Sequence, residues 1–277
     1  MSLAGLFEGQ RPAADLTDAM TYEQVIAELL RPGFPALTPL APPQARRMLR
    51  AYIDEVARAD MPRLVDMRKD PARIRRLISS LARSVASDVT YATLAADMRA
   101  VAPSIKAETV ADYVGVLERL FVVERQLAWA PALRSRARLR TSPKMHLADP
   151  AMAAAALGAD QEALAGDPNT TGLLFESAAV HDLMVFAALM DGEVRHYRDS
   201  NGHEMDAVIC LPDGRWGAVE VKLGGMQTAA GARSLGNAVG QIEGAPQPSF
   251  RLVITGTGQT YVMQDGTVTC PLAKLRA

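Results

Sequence analysis

Asp206, Glu220 and Lys222, with Glu176 upstream, have the types and spacing for metal-assisted phosphodiester chemistry. Asp206 opens the apolar run Ala207-Val208-Ile209-Cys210-Leu211. The turn Pro212-Asp213-Gly214 then leads into Gly217-Ala218-Val219-Glu220-Val221-Lys222. Side chains alternate along a strand, so Glu220 and Lys222 share one face while Val219, Val221 and Leu223 share the other. The turn pairs the two runs antiparallel and brings Asp206 towards Glu220, in a register that is not deducible from sequence. Two carboxylates brought together repel, and Mg²⁺, a hard cation content with two carboxylates plus water, relieves the repulsion. Asp206 and Glu220 are therefore the expected metal ligands. Lys222 beside them can orient the attacking water or stabilise charge developing at phosphorus.

Each piece has a plainer reading. A Glu-x-Lys in a strand is most often a same-face ion pair, an Asp at a strand start is usually a turn residue, and Glu176 early in a helix suits the positive helix end. The order raises the estimate: a helical Glu, a turn, an Asp heading an apolar strand, then a hairpin to Glu-x-Lys and a crossover helix. Glu204 points to the same face as Asp206 and is a substitute or supplement for it. His203 is a candidate base or a turn residue. His181 and Asp182 read as the polar face of the Glu176 helix, and Gln241 as a polar group on the helix after Glu-x-Lys. Gly224-Gly225 ends the strand without forming a phosphate loop.

The elements that must position these residues read as α/β in the C-terminal half. A helix over 171–190 precedes strands at Glu193–Arg198, Met205–Leu211, Trp216–Leu223 and Arg251–Thr255, with a helix over Gly231–Ile242 before the last strand. The N-terminal half reads as helical. Met48, Tyr52 and Val56 line one face of Gln44–Met61, which Pro62 should end. A second helix begins at Asp70-Pro71, with Asp as cap and Pro in the first turn. Thr90 caps Tyr91–Met98, and Ser104–Leu120 follows. Phe121-Val122-Val123 and Lys144–Ala148 then form a hairpin, so three helices precede two strands, the order of a winged helix-turn-helix. From Arg125 to Ala148 the chain carries Arg125, Arg134, Arg136, Arg138, Arg140 and Lys144 and no acid. Clustered cations suit phosphate contact through counterion release, and equally suit a solvated loop. Arg134, Arg136, Arg138, Arg140 and Lys144 are the expected nucleic-acid-binding residues.

Composition narrows the class. At 277 residues the chain is long enough for two units, and its 49% hydrophobic content is ample for a core. Aromatics at 5% argue against a stacking platform for single strands. A net charge of -1 makes any nucleic-acid surface a local one. Cys210 and Cys270 lack zinc spacing and fit a reducing cytoplasm. The N-terminus has no apolar leader, and Ser177–Met190, broken by His181 and Asp182, is too short to span a bilayer. A cytoplasmic protein with no membrane contact is expected.

The order of the acidic site resembles the PD-(D/E)XK nuclease superfamily, whose resolvase-like branch places an acid on the first helix and an Asp before Glu-x-Lys. More specifically, the chain resembles the uncharacterised C-terminal domain (DUF 4143) of AAA-type ATP-binding proteins. The resemblance rests on Tyr113–Arg125 (YVGVLERLFVVER), Leu139–Leu157 (LRTSPKMHLADPAMAAAAL), Leu173–Glu176 (LLFE), Tyr197–Ile209 (YRDSNGHEMDAVI) and Ala218–Leu223 (AVEVKL), and covers most of the chain from about residue 45. It implies a catalytic set of Glu176, Asp206, Glu220 and Lys222, with Glu176 supporting the metal or its water shell. Met1–Gly9 looks like a segment near the end of the ATPase module, but no G-x-x-x-x-G-K-[ST] occurs, so no ATP site is expected here. The implied division is a remnant of the ATPase module and Pro-rich linker over 1–43, a helical winged-helix-like domain over 44–148, and a PD-(D/E)XK restriction-endonuclease-like α/β domain over 149–277. DNA is the expected partner, with an ATPase module or a homo-oligomer as further associations. The rival reading is a non-catalytic DNA-binding or regulatory module of an ATPase.

Overall fold

The computed structural model describes residues 1–64, 70–131 and 142–277. Arg134, Arg136, Arg138 and Arg140 lie outside the described residues. The chain is mixed α/β, helical towards the N-terminus and built on a mixed sheet towards the C-terminus. Its contacts group into two units: Met1–Val25, Gln126–Thr141 and Ala178–Ala277 form one, Ile26–Arg125 and Ser142–Ser177 the other. These boundaries fall elsewhere than residues 43 and 148.

Residues 1–25 therefore belong with the C-terminal sheet. Helix α1 (Leu3–Phe7) is capped by Ser2, and the Phe7 ring meets Phe250 edge-on at 4.9 Å. The Leu3 N–H donates to Arg276 O and the Arg276 N–H to Met1 O, while Lys274 Nζ holds Asp15 Oδ2 at 2.7 Å.

The helical unit takes in the second half of α2 (Tyr22–Leu29), from Ile26, and continues with α3 (Pro42–Glu55). The helix expected to stop at Pro62 runs on through a π-helical turn, Val56–Asp60, into α4 (Met61–Leu64). The Met61 N–H reaches back to Val56 O, an i→i−5 bond made directly before the proline that has no N–H to give. Next come α5 (Pro71–Arg83), β1 (Ser87–Asp88), α6 (Tyr91–Met98), α7 (Ala107–Arg119), β2 (Val123–Gln126) and β3 (Lys144–Leu147). The expected caps are present: Asp70 accepts from the Ala72 N–H and Thr90 from the Thr93 N–H. The expected hairpin gains a third strand, because β3 lies between β1 and β2 in a sheet of order β1-β3-β2. Ile74, Leu77, Ile78, Leu81, Leu94, Met98 and Leu117 are fully buried in its core.

Helix α8 (Pro150–Leu157) follows, with Asp149 capping the Ala151 N–H at 2.7 Å and holding the Gly33 N–H at 2.7 Å with its other oxygen. The stretch expected as a polar loop contains α9 (Gln161–Gly166), and α10 (Pro168–Ala188) comes next. At 21 residues, α10 is long and apolar enough to cross a membrane by length and composition, a test that a core helix also passes. It is thus longer than the stretch set aside in the sequence as too short to span.

The sheet unit has strands β4 (Glu193–Arg198), β5 (Glu204–Cys210), β6 (Trp216–Lys222), β7 (Phe250–Thr255), β8 (Tyr261–Val262) and β9 (Val268–Pro271), in the order β4-β5-β6-β7-β9-β8. The first three form an antiparallel meander, and β6 runs parallel to β7 through the crossover helix α11 (Thr228–Gly240). Trp129 and Trp216, with ring centroids 4.8 Å apart, join Tyr197, Val208, Ala218 and Leu235 in its core.

Candidate functional site

The hairpin joining β5 to β6 sets the register that sequence left open. Cys210 faces Trp216, and the ladder proceeds through Ile209↔Gly217 and Val208↔Ala218 to Ala207↔Val219. There the regular pairing ends. On the other side of β5, Arg195 faces Val208 and Tyr197 faces Met205, so the single residue His196 opposes two, Asp206 and Ala207. That is a β-bulge, which bends its strand and re-aims the side chains it carries. At the bulge, Asp206 turns its carboxylate onto β6, where Oδ2 accepts the Val221 N–H at 2.8 Å. Val221 is the middle residue of Glu220-Val221-Lys222, so Asp206 is anchored between the two residues with which it was expected to act.

Glu220 and Lys222 share a face, as alternation requires, and form an ion pair with Nζ 2.7 Å from Oε1. The Glu220 side chain is 6% exposed and that of Lys222 29%, so the pair is buried at its acidic end and open at its basic end. Asp206 is buried as well. Helix α11 lies over this face and comes close to it at Gly231. A Cβ on Gly231 would stand 3.2 Å from Val253 Cγ1, 3.3 Å from Lys222 Cγ and 3.5 Å from Glu220 Cγ.

The structure thus brings Asp206, Glu220 and Lys222 together. Glu176 belongs to the helical unit, where Lys144 Nζ sits 2.7 Å from its Oε1 and both side chains are mostly buried. Lys144, expected at a nucleic-acid surface, is therefore a largely buried cation paired with a carboxylate. On α7, by contrast, Glu108 and Asp112 are exposed acids.

The secondary candidates have plain roles. Glu204 pairs across the strands with Arg198 at 3.2 Å and is well exposed. His203 Nδ1 lies 2.9 Å from Asp199 Oδ2, and the backbone N–H groups of Asn201 and His203 also donate to Asp199. These bonds hold the Asp199 carboxyl below its usual range against the desolvation that would raise it. Asp182 is partly buried, and desolvation raises its carboxyl above the usual value. Gln241 caps the C-terminal end of α11 and is exposed.

Among the described residues no group of three or more His, Cys, Asp or Glu side chains is gathered as a metal site. Asp206 and Glu220 offer two hard oxygen donors on adjacent strands, the donor type Mg²⁺ prefers.

Two residues at this site were not singled out in the sequence. Gln126 is fully buried, and its Nε2 donates to Asp206 O at 2.8 Å and to Arg195 O at 3.2 Å, the carbonyls beside the bulge. Nothing in the sequence around it signals that role. Gly231 stood at the expected start of its helix, Gly231–Ile242, where a glycine does not by itself signal close packing.

Residues 22–163 match the family described as Domain of unknown function (DUF8612), and residues 171–275 match Domain of unknown function (DUF4143). The DUF4143 likeness is thus confined to the C-terminal part, where the sequence suggested that it begins near residue 45. No curated protein and no solved structure matches the chain.

Proposed function

The chain belongs to the family described as Domain of unknown function (DUF8612) and carries a DUF4143 region behind it; on that premise we propose that it is a nucleic-acid-associated protein with a Mg²⁺-dependent phosphodiester-hydrolysing site on β5 and β6. The observation that carries this reading is the bulge that turns Asp206 onto the backbone between Glu220 and Lys222. The order α10, β4, β5, β6, α11, β7, with β6 parallel to β7, is read as a PD-(D/E)XK-type core. The order α5, β1, α6, α7, β2, β3 is read as winged-helix-like.

In this scheme Asp206 and Glu220 hold Mg²⁺, which when bound supplies a nucleophilic water at neutral pH and charge neutralisation at phosphorus. Lys222, whose ammonium end is the open end of the pair, orients that water and stabilises charge on the phosphoryl oxygens. Burial of Glu220 and Asp206 strengthens each of these interactions relative to bulk water. The DNA contact is assigned to Arg134, Arg136, Arg138 and Arg140 rather than to α7, whose exposed Glu108 and Asp112 would repel phosphate.

Calorimetric titration of Mg²⁺ and Mn²⁺ into the wild type and Asp206→Ala, with cleavage assays on plasmid and branched DNA, tests the reading. Metal binding and cleavage that are both lost in Asp206→Ala are expected. No metal binding by the wild type would overturn it.

One observation favours a second reading, a non-catalytic regulatory or DNA-binding module of an ATPase. Glu220 is buried and already neutralised by Lys222, as a structural ion pair would be. Binding of DNA or of an ATPase partner that is indifferent to Asp206→Ala would support that reading. Either function suits a cytoplasmic protein.

A further inference from the structure

We propose that Gln126 is the positioning residue of this site: its buried amide clamps the β-bulge and so fixes where the Asp206 carboxylate points. The inference rests on the reading of Asp206 as a metal ligand, and adds to it a residue that never touches the metal.

The argument starts from what a bulge does to a ladder. Where one residue opposes two, the strands part locally and their carbonyls lose regular partners. A buried carbonyl must find a donor elsewhere, since its desolvation is otherwise uncompensated. Beside this bulge two carbonyls, Arg195 O on β4 and Asp206 O on β5, take a side-chain donor. Gln126 Nε2 has two N–H groups and gives one to each, at 3.2 and 2.8 Å. Two carbonyl acceptors also settle the amide orientation, because its oxygen could bond neither.

The clamp has a direct route to the site. The Asp206 carbonyl is held by Gln126 and the Asp206 carboxylate by the Val221 N–H, so the residue is fixed from both sides. Releasing the carbonyl frees the peptide to relax towards a regular strand. In a regular strand, successive residues alternate faces, and Asp206 and Ala207 cannot both oppose His196. The carboxylate then leaves the Val221 N–H, and with it the anchor that fixes its aim beside Glu220 is lost. Gln126 lies outside the residues 171–275 that carry the DUF4143 likeness, so its part in this site is visible only in three dimensions.

The test uses the full chain. Gln126→Met keeps the length of the side chain and removes both N–H donors. Gln126→Glu keeps the shape but turns donors into acceptors. Val268→Ala, a buried truncation on β9 two strands away from β6, serves as the control for general loosening of the sheet. Hydrogen exchange of the Val221 amide is read residue by residue alongside Mn²⁺ affinity by calorimetry. Outer-shell partners of metal ligands typically govern about ten- to a hundred-fold in affinity, and a loss of that size is expected in both Gln126 variants. The Val221 amide should exchange at least about tenfold faster in them, as expected when its buried acceptor is withdrawn. Val268→Ala should change neither.

Unchanged Mn²⁺ affinity together with unchanged Val221 exchange in Gln126→Met overturns the inference. Equal losses in Val268→Ala also overturn it, since general loosening would then account for them. If the wild type binds no Mn²⁺, the metal reading fails, and the clamp is judged on Val221 exchange alone: faster exchange in Gln126→Met upholds it, unchanged exchange overturns it. Should Gln126→Met not fold, Gln126→Asn, an amide one methylene too short to reach both carbonyls, is judged by the same measurements.

Discussion

Replacing Gly231 by alanine sets two opposing effects against each other at the helix that covers the acidic site. Glycine inside a helix costs about 0.5–1 kcal/mol relative to alanine, so on propensity alone the change stabilises. The structure supplies the opposing effect. The new Cβ would stand 3.2 Å from Val253 Cγ1 and 3.3 Å from Lys222 Cγ, closer than ordinary carbon contacts of about 3.5–4 Å. Lys222 can shift its flexible stem. Val253 cannot shift easily: it is fully buried in β7, and a β-branched side chain is stiff at χ1. Overpacking of this kind costs about 1–3 kcal/mol, which leaves a net destabilisation of up to roughly 2.5 kcal/mol.

The sheet unit offers its own probe for this measurement. Trp129 and Trp216 are the chain's two tryptophans, and both lie buried in that unit. Urea unfolding followed by tryptophan fluorescence therefore reports this unit. Gly231→Ala should lower its midpoint with little change in slope. On a Val253→Ala background the closest clashing atom is gone, and the same substitution should become neutral or stabilising. The double-mutant cycle is expected to give a coupling of about 1–2 kcal/mol. A midpoint that rises in the single variant, or effects that simply add, would refute the claim that α11 is seated on Val253 and the Glu220–Lys222 pair through Gly231.

Two further outcomes follow from charge burial. Burial raises the Asp182 carboxyl, so its ionised form is disfavoured on folding; the cost is absent at pH below the ordinary carboxylate range and full at pH above the raised value. Asp182→Asn should therefore raise Tm at about pH 7, with an advantage that shrinks as pH falls towards about 4, and a pH-independent gain would contradict the assignment. Lys144 and Glu176 form a mostly buried pair, and removing one partner of such a pair typically costs about 3–5 kcal/mol. Lys144→Met and Glu176→Gln should each destabilise the helical unit by an amount of that order, followed by far-UV circular dichroism. The double variant should lose much less than the sum, and additive losses would argue against the pair.

What could be read from the sequence was local. Asp70 and Thr90 announced helix starts because a cap and the N–H groups it satisfies lie within three residues of each other. Alternation placed Glu220 and Lys222 on one face for the same reason. The strands of the meander were legible to within a residue or two, since Pro212-Asp213-Gly214 and the apolar runs leave little freedom. What failed was set by distant partners. Pro62 stops a helix only where the preceding turn cannot widen, and Val56–Asp60 widens. Strand β9 is short, and its pairing with β7 is fixed by neighbours that are not its neighbours in sequence. Residues 1–25 could not be assigned to the C-terminal sheet from their own pattern, because Asp15 finds Lys274 across most of the chain. Gln126 was invisible for the same reason.

The strongest case for function at the ends of β5 and β6 is energetic. An apolar pair in place of Glu220 and Lys222 would hold the strand at least as well, since desolvation offsets most of what a buried ion pair gains. A regular continuation of β5 would pair Asp206 with Glu220 and Met205 with Val221, without the bulge that Gln126 spans. Each of these departures costs stability, and the three meet at one point: the Asp206 carboxylate, the Val221 amide between Glu220 and Lys222, and the Gln126 amide behind them. Elsewhere in the sheet unit the register is regular from Ala207 to Cys210 and along the whole of β7. Sequences that agree with their fold at every level but one tend to break the rule where they work. The bulge and the buried pair are that exception here, and a carboxylate aimed beside a carboxylate–lysine pair is what the proposed metal-assisted hydrolysis would use.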